Sequence, residues 1–247
     1  MADFTIQIAG RSVKVHSLFE STRDYCRSYL TEEVPEYDIT VSREDLAFEQ
    51  EFLRQEAIEE GIKIRTFTDP FLDRAAIQRK VADHLLRSQV LLFHGSAVAL
   101  DGKGYLFTAD CGTGKSTHTR FWREVFGSEA IMINDDKPFL RITDDGILAC
   151  GSPWSGKHGL ASNVCVPLKG ICLLHRGSEN LIERIEPNGI IDMLYNQAHS
   201  PDDVSLMQKT RSLVDRLAQM VPLWEMECNK DLDAAKVAYC AMSSEFD

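Results

Sequence analysis

Six consecutive residues, Gly112-Thr113-Gly114-Lys115-Ser116-Thr117, have the types needed to hold a phosphate group. A phosphate site wants backbone N–H groups turned inward, a cation, and often a ligand for a metal ion. Gly112 and Gly114 permit the tight turn that aims the N–H groups. Lys115 would reach the β- and γ-phosphates, Ser116 would offer its hydroxyl to Mg2+, and Thr117 would touch a more distal phosphate. With Asp110 and Cys111 the candidate nucleotide-binding set is Asp110, Cys111, Gly112, Thr113, Gly114, Lys115, Ser116 and Thr117. The usual P-loop (Walker A) spacing opens on glycine, and here Ala109 stands in that place. A small residue at a tight strand exit meets the same need.

Phosphoryl transfer also needs carboxylates. The apolar run Ala130-Ile-Met-Ile-Asn134 leads directly into Asp135-Asp136. One carboxylate can hold Mg2+, and the other can take a proton from an attacking hydroxyl. Neighbouring side chains on an extended strand point to opposite faces, so both can serve one ligand only if the strand ends there, as Lys137-Pro138 suggests. His94 precedes a hairpin that returns alongside the strand feeding the loop, which brings it near the loop mouth. The candidate catalytic residues are therefore Asp136, Asp135, Lys115 and His94, and the candidate metal ligands Ser116, Asp135 and Asp136.

A second constellation is the turn-rich stretch GSPWSGKHGL from Gly151. Ser155, Lys157 and His158 are short-range donors and Trp154 offers a flat stacking face. Arg176 ends a later strand and is expected to face the same pocket. These five are the candidate acceptor-binding residues.

The elements that must position these groups follow from periodicity and punctuation. FTIQIAGRSVKVHS alternates about Gly10 and predicts a hairpin. Residues 17–30 predict a helix, and YDITVS a strand. Ser42 and Asp45 have capping-box spacing ahead of a helix that Gly61 would end, and Pro70 opens another. VLLFHGSAVAL reads as one apolar strand, DGKG turns it, and YLFTA runs into the loop. A helix over 115–126 stops at Gly127, AIMIN is a short buried strand, and FLRI-TDDG-ILAC is a hairpin. VPLKGICLLHR is a further strand, 189–221 mostly helix broken near Pro201, VPLWEMEC a late strand, and a last helix starts near Asp231. The fold class expected is α/β of the mixed α+β kind: a P-loop core with a mixed β-sheet flanked by helices. Near Gln89 no Gly-, Pro- or Ser-rich linker occurs. Residues 1–88 are thus expected to form an N-terminal α/β region packing on a core of residues 89–247.

Composition narrows the partners. Of 247 residues 44% are hydrophobic and 26% charged, enough apolar content for a substantial core, and the net charge is −11. So acidic a chain argues against nucleic acid as a partner. No window approaches the ~18 apolar residues of a membrane span, and the opening residues lack a signal-peptide run. The seven cysteines are odd in number and include no Cys-x-x-Cys pair. They read as small hydrophobes in a reduced, cytoplasmic chain, with neither a disulfide framework nor a zinc site.

With these residues assembled, the chain resembles the HPr kinase / ATP-dependent phosphoenolpyruvate carboxykinase superfamily, and most of all the small bacterial HPr kinase-related proteins. The order His94-Gly95, hairpin, Gly-Lys-Ser, helix, Asp135-Asp136 is similar to HPr kinase. GTGKST is similar to the carboxykinase loop, and VPLWEMEC before an Asp-rich helix start is similar to the C-terminal end of the kinase-related group. The resemblance spans about residues 89–240. It implies a Mg2+- and ATP-dependent phosphotransferase, with Asp136 as base and Asp135 holding the metal or the loop. Three features depart from these families. Ala109 replaces the first loop glycine, CGSPWSGKHG stands where HPr kinase has a signature with a metal-binding glutamate, and the carboxykinase's additional domain and oxaloacetate-binding arginines are not recognisable in these 247 residues. The expected activity is a kinase passing the γ-phosphoryl group of ATP to a hydroxyl of a protein, a peptide or a small metabolite. A nucleotide hydrolase and a nucleotide-binding regulator without turnover are the alternatives.

Overall fold

The computed structural model describes residues 1–59, 61, 63–110 and 112–244. The chain divides into two compact units, Met1–Leu85 and Leu86–Asp247.

The first unit opens with the hairpin β1 (Ala2–Ile8) and β2 (Arg11–Ser17), paired antiparallel with Ile8 opposite Arg11. Ala9 and Gly10 make the turn, both at positive φ (51° and 72°), the arrangement that suits the twist of a two-residue hairpin. In place of one helix over 17–30 the chain forms the short α1 (Glu20–Tyr25) and a 3-10 turn at Arg27–Tyr29. β3 (Tyr37–Thr40) lies parallel to β2. α2 (Arg43–Glu59) starts on a reciprocal capping box: Ser42 N–H donates to Asp45 Oδ2 (2.8 Å), and Asp45 N–H to Ser42 Oγ (3.3 Å). α3 (Asp69–Leu86) follows. Its buried Asp73 accepts from Ser17 Oγ (2.7 Å), Leu18 N–H (3.0 Å) and Thr22 Oγ1 (2.6 Å), so a buried carboxylate is fully hydrogen-bonded.

The second unit is built on a mixed sheet. Its strands are β4 (Val90–Leu92), β5 (Ser96–Leu100), β6 (Lys103–Thr108), β7 (Ile131–Asn134), β8 (Phe139–Ile142), β9 (Ile147–Cys150), β10 (Cys165–Arg176), β11 (Leu181–Ile185) and β12 (Leu223–Cys228). β6, β10 and β12 run parallel, while β5, β7, β8, β9 and β11 join by antiparallel pairing. The helices are α4 (Lys115–Phe126), α5 (Ile191–Gln197), α6 (Val204–Met220) and α7 (Asp233–Ser243). The sheet is buried on both faces, which explains its nearly continuous apolar strands. Alternate residues part cleanly. Ala97, Leu106, Ile171 and Leu173 pack with Leu213 and Leu217 of α6, whereas Val98, Tyr105, Phe107 and Cys172 pack with Trp122 of α4 and Ala238 of α7.

Two expectations are corrected here. VLLFHGSAVAL is not one strand, because β4 pairs with β8 whereas β5 pairs with β6 and β7, and the chain bends between them at Phe93–Gly95. β11 was not foreseen; its half-exposed LIERI pattern finds a partner in β12. Among the described residues no helix is long and apolar enough to cross a membrane.

His118 shows how closely α4 is packed. Its ring packs at a tilt against Phe107, 4.4 Å between centroids, and Trp122 Nε1–H donates to its Nε2 at 3.2 Å. Burial pushes its pKa from 6.5 down to about 3. The unfolded chain therefore takes up the proton first, so the neutral ring's contribution is complete above pH 6.5 and is lost as the pH falls toward 3. Between pH 6.5 and 5 the loss is about 2 kcal/mol. Urea unfolding at pH 7.5 and 5.0 should show it, and His118→Gln should flatten that difference.

Candidate functional site

β6 delivers the chain to Ala109, which is completely buried, and the loop then turns into α4. Gly112 has φ 74° and Gly114, the N-cap of α4, has φ 125°. A Cβ would meet nothing within 4 Å at Gly112, and only Thr117 Cβ at 4.0 Å at Gly114. Glycine is thus required by backbone conformation and not by space. Gly114→Ala should cost about 1–3 kcal/mol of local strain. It should weaken nucleotide binding without a matching fall in the melting of the sheet, which calorimetric titration and thermal unfolding would separate.

The loop is tied at several points. Thr113 N–H donates to Asp110 O (3.2 Å), Lys115 Nζ to Ala109 O (2.9 Å), and Arg176 Nη2 to Gly112 O (2.6 Å). Ser96 Oγ and Thr119 Oγ1, both buried, are 2.8 Å apart and join β5 to α4. Ser116 and Thr117 lie exposed at the first turn of α4, which carries no acidic residue. The positive end of that helix is left to face an incoming anion. Cys111, assigned to the same set from the sequence, lies outside the described residues.

The two aspartates sit where a long antiparallel pairing is interrupted. Residues 90–100 run beside 131–142: Ala97 pairs with Asn134 and Leu92 with Phe139. Between these ladders Gly95 N–H to Asp136 O and Phe93 N–H to Pro138 O, each 3.0 Å, continue the pairing. A Cβ at Gly95 would meet Leu106 Cδ1 at 2.9 Å and Phe107 O at 3.1 Å, so the close passage needs glycine. The same interruption holds His94, whose Nε2 is 3.4 Å from Asp136 Oδ1.

Asn134, legible in the sequence only as a mark of the strand end, organises this bend. Its Oδ1 accepts from Asp136 N–H (2.8 Å) and Lys137 N–H (2.6 Å), and its Nδ2 donates to Ser152 O, Ser152 Oγ and Trp154 O at 3.0–3.2 Å. The signal available was an Asn at a strand end, a residue that readily caps the following turn.

The environments of the two carboxylates differ. Burial raises the Asp135 pKa and the adjacent Asp136 charge adds to this, against the opposing Gly156 N–H, which donates to Oδ1 at 2.7 Å. Its Oδ2 is buried with no partner among the described residues, an atom suited to a proton or a metal ion. At Asp136 burial also acts upward, but His94, Lys137 and Lys115 outweigh it and hold the carboxyl below its usual range. Lys115 and His94 therefore both fall within electrostatic reach of Asp136. Among the described residues no group of three or more His, Cys, Asp or Glu side chains is placed to hold a metal ion unaided. A Mg2+ ion fits only if phosphate oxygens complete its shell, its usual habit in nucleotide sites.

The 151–158 loop reaches the acids through Gly156, where a Cβ would stand 3.3 Å from both Asp135 Oδ2 and Asp136 Cβ. Gly156 is a second residue the sequence reading missed. His158 is exposed, and its charge is felt by Asp135. Ser155 is half-buried and Lys157 exposed. Two expectations change. Trp154 offers no face for stacking, because it is 6% exposed and packs on Phe139 at 6.3 Å. Arg176 reaches the phosphate loop, because β10 lies beside β6 and both end at the same edge. The cysteine reading is corrected as well: Cys150 and Cys165 form a disulfide across β9 and β10, where they are directly opposite.

No family model matches the chain, and no curated protein does. Among solved structures it is similar to the Hpr(Ser) kinase/phosphatase from Coxiella burnetii, at 12% identity and a TM-score of 0.36, over 62% of this chain and 99% of that one.

Proposed function

We propose that the chain is a kinase that binds Mg2+·ATP on the loop Asp110–Thr117 and passes the γ-phosphoryl group to a hydroxyl-bearing protein, peptide or metabolite. The observation that carries this reading is an ionised Asp136 paired with His94 and within the electrostatic influence of Lys115, beside a loop whose two glycines have positive φ. A site that only bound nucleotide could use one carboxylate for Mg2+ but has no need of a second, ionised one poised as a base.

Each residue then has a role. Loop amides, the α4 N-terminus and Lys115 draw negative charge from the phosphates. Ser116 and the free oxygen of Asp135 would hold Mg2+, which when bound neutralises phosphate charge. Asp136 is half-buried, ionised and accessible, and takes the proton of the acceptor hydroxyl. His94 orients that carboxylate. Arg176 positions the loop through Gly112, and Ser155, Lys157 and His158 form the side from which the acceptor enters.

Calorimetric titration of ATP with and without Mg2+ tests the binding half. Binding should require Mg2+ and weaken about tenfold or more in Asp135→Asn, by loss of a charged ligand. Equal affinity with and without the ion, or no binding at millimolar ATP, would contradict the reading.

A further inference from the structure

The disulfide Cys150–Cys165 closes the base of residues 151–164, the segment that carries Gly156 against Asp135. This segment is sewn to the acidic turn along its length. Besides the Asn134 bonds, Asp135 N–H donates to Leu160 O (3.1 Å) and Ser162 N–H to Ile133 O (3.2 Å), while Gly151 N–H to Val164 O (2.9 Å) joins the segment's own two ends. Gly151 passes so close that a Cβ there would run into the Ser162 carbonyl. Beyond that bond, what holds the two ends together is a short ladder. β9 and β10 share only the pairs Cys165–Cys150, Val166–Ala149 and Pro167–Leu148, and Pro167 has no N–H to give. The disulfide is thus a principal closure of the loop that shapes the acid pair.

We infer that Cys150–Cys165 is a redox clasp: oxidised, it holds the 151–164 loop against Asp135 and Asn134, and reduced, it loosens that loop and lowers the activity of the site. The effect on activity rests on the phosphoryl-transfer reading; the clasp itself does not. Cys150 is fully buried whereas Cys165 is exposed, so a dithiol reductant is directed to Cys165. Its thiolate attacks the Cys165 sulfur, a mixed disulfide forms there, and Cys150 leaves as a thiolate that takes a proton. The reductant's second thiol then displaces Cys165. Two protein thiols result, and the dithiol is oxidised to a disulfide. Cys26, Cys172, Cys228 and Cys240 are free, so among the described residues the dithiol has no other bond to cut.

The test uses the full chain, prepared oxidised and after treatment with excess dithiothreitol, with the 150–165 linkage mapped by mass spectrometry. Hydrogen exchange is followed over 151–164, with α6 as an internal control. Reduction should speed exchange in the loop by about tenfold, as expected when a cross-link closing a short loop is lost. It should leave α6 unchanged and slow phosphate transfer about fivefold or more, in step with the weakened hold on Asp135. Cys165→Ser, a change at the exposed partner, should match the reduced protein and ignore dithiothreitol; wild-type reduction supplies the same comparison without a variant. Absence of the linkage in oxidised protein, or loop exchange indifferent to reduction, overturns the clasp even if transfer is found. Faster loop exchange with an unchanged transfer rate overturns its regulatory role. Redox-dependent exchange with no transfer in either state upholds the clasp and instead overturns the kinase reading.

Discussion

Lys115→Ala is expected to lower phosphate transfer by about 10²–10³-fold, the scale for removing one preorganised charge from a transition state. Three features of the position argue for so large an effect. Lys115 opens α4 next to Gly114, so its ammonium adds to the helix dipole at one point. Its Nζ is 2.9 Å from Ala109 O, which keeps it over the loop instead of extended into water. Its charge also helps to keep Asp136 ionised. Losing it therefore weakens both the hold on the phosphates and the bias on the base. Thermal unfolding should change little, because the residue is half-exposed and outside the packed core. Steady-state transfer and ATP titration on the same preparation would check this, with a fall in kcat/KM larger than the fall in affinity. A matched loss in both would reduce Lys115 to a binding residue.

Asp136→Asn should cut transfer by about 10²–10⁴-fold, the contribution of a general base, while Mg2+·ATP still binds. The amide keeps the shape, and the backbone bond from Asp136 N–H to Asn134 Oδ1 is untouched. What is lost is the negative oxygen facing His94 and the capacity to take a proton. The pH profile gives a further check. Because neighbouring charges hold the Asp136 carboxyl below its ordinary range, wild-type kcat/KM should keep its value down to the lower edge of that range and fall only below it. A profile breaking above the ordinary range would assign the base to a different group, with Asp135, whose carboxyl is raised, the first to consider.

The parts of this site that were legible in the sequence share a cause: each is dictated by local chemistry. Gly112 and Gly114 adopt backbone angles that few other residues tolerate, so their spacing before Lys115 marks a strand–loop–helix turn without further context. The Ser42–Asp45 cap and the Gly10 turn are local in the same sense. An apolar strand running into two acids reveals a buried element that ends at a polar place. What was not legible depends on pairings between distant segments. That residues 90–100 and 131–142 form one bent pairing, placing His94 beside Asp136, cannot be read from either segment alone. Arg176 ends a strand visibly, but its neighbour is the phosphate loop only because β10 pairs with β6. The turn-rich stretch around Trp154 suggested a surface loop; instead Asn134, eighteen residues from Ser152 in the chain, draws it inward and buries the indole. The cysteine pair was missed for a like reason, since only the β9–β10 register sets Cys150 opposite Cys165.

The most direct measurement of the central claim is transfer of label from γ-labelled ATP with Mg2+ into a cell extract separated into macromolecules and metabolites, run beside Asp136→Asn. Label should appear in one fraction and be lost with the variant, which would also name the acceptor's class. Tight Mg2+·ATP binding with no label moved to either fraction, or transfer equal in the variant, would contradict the kinase reading.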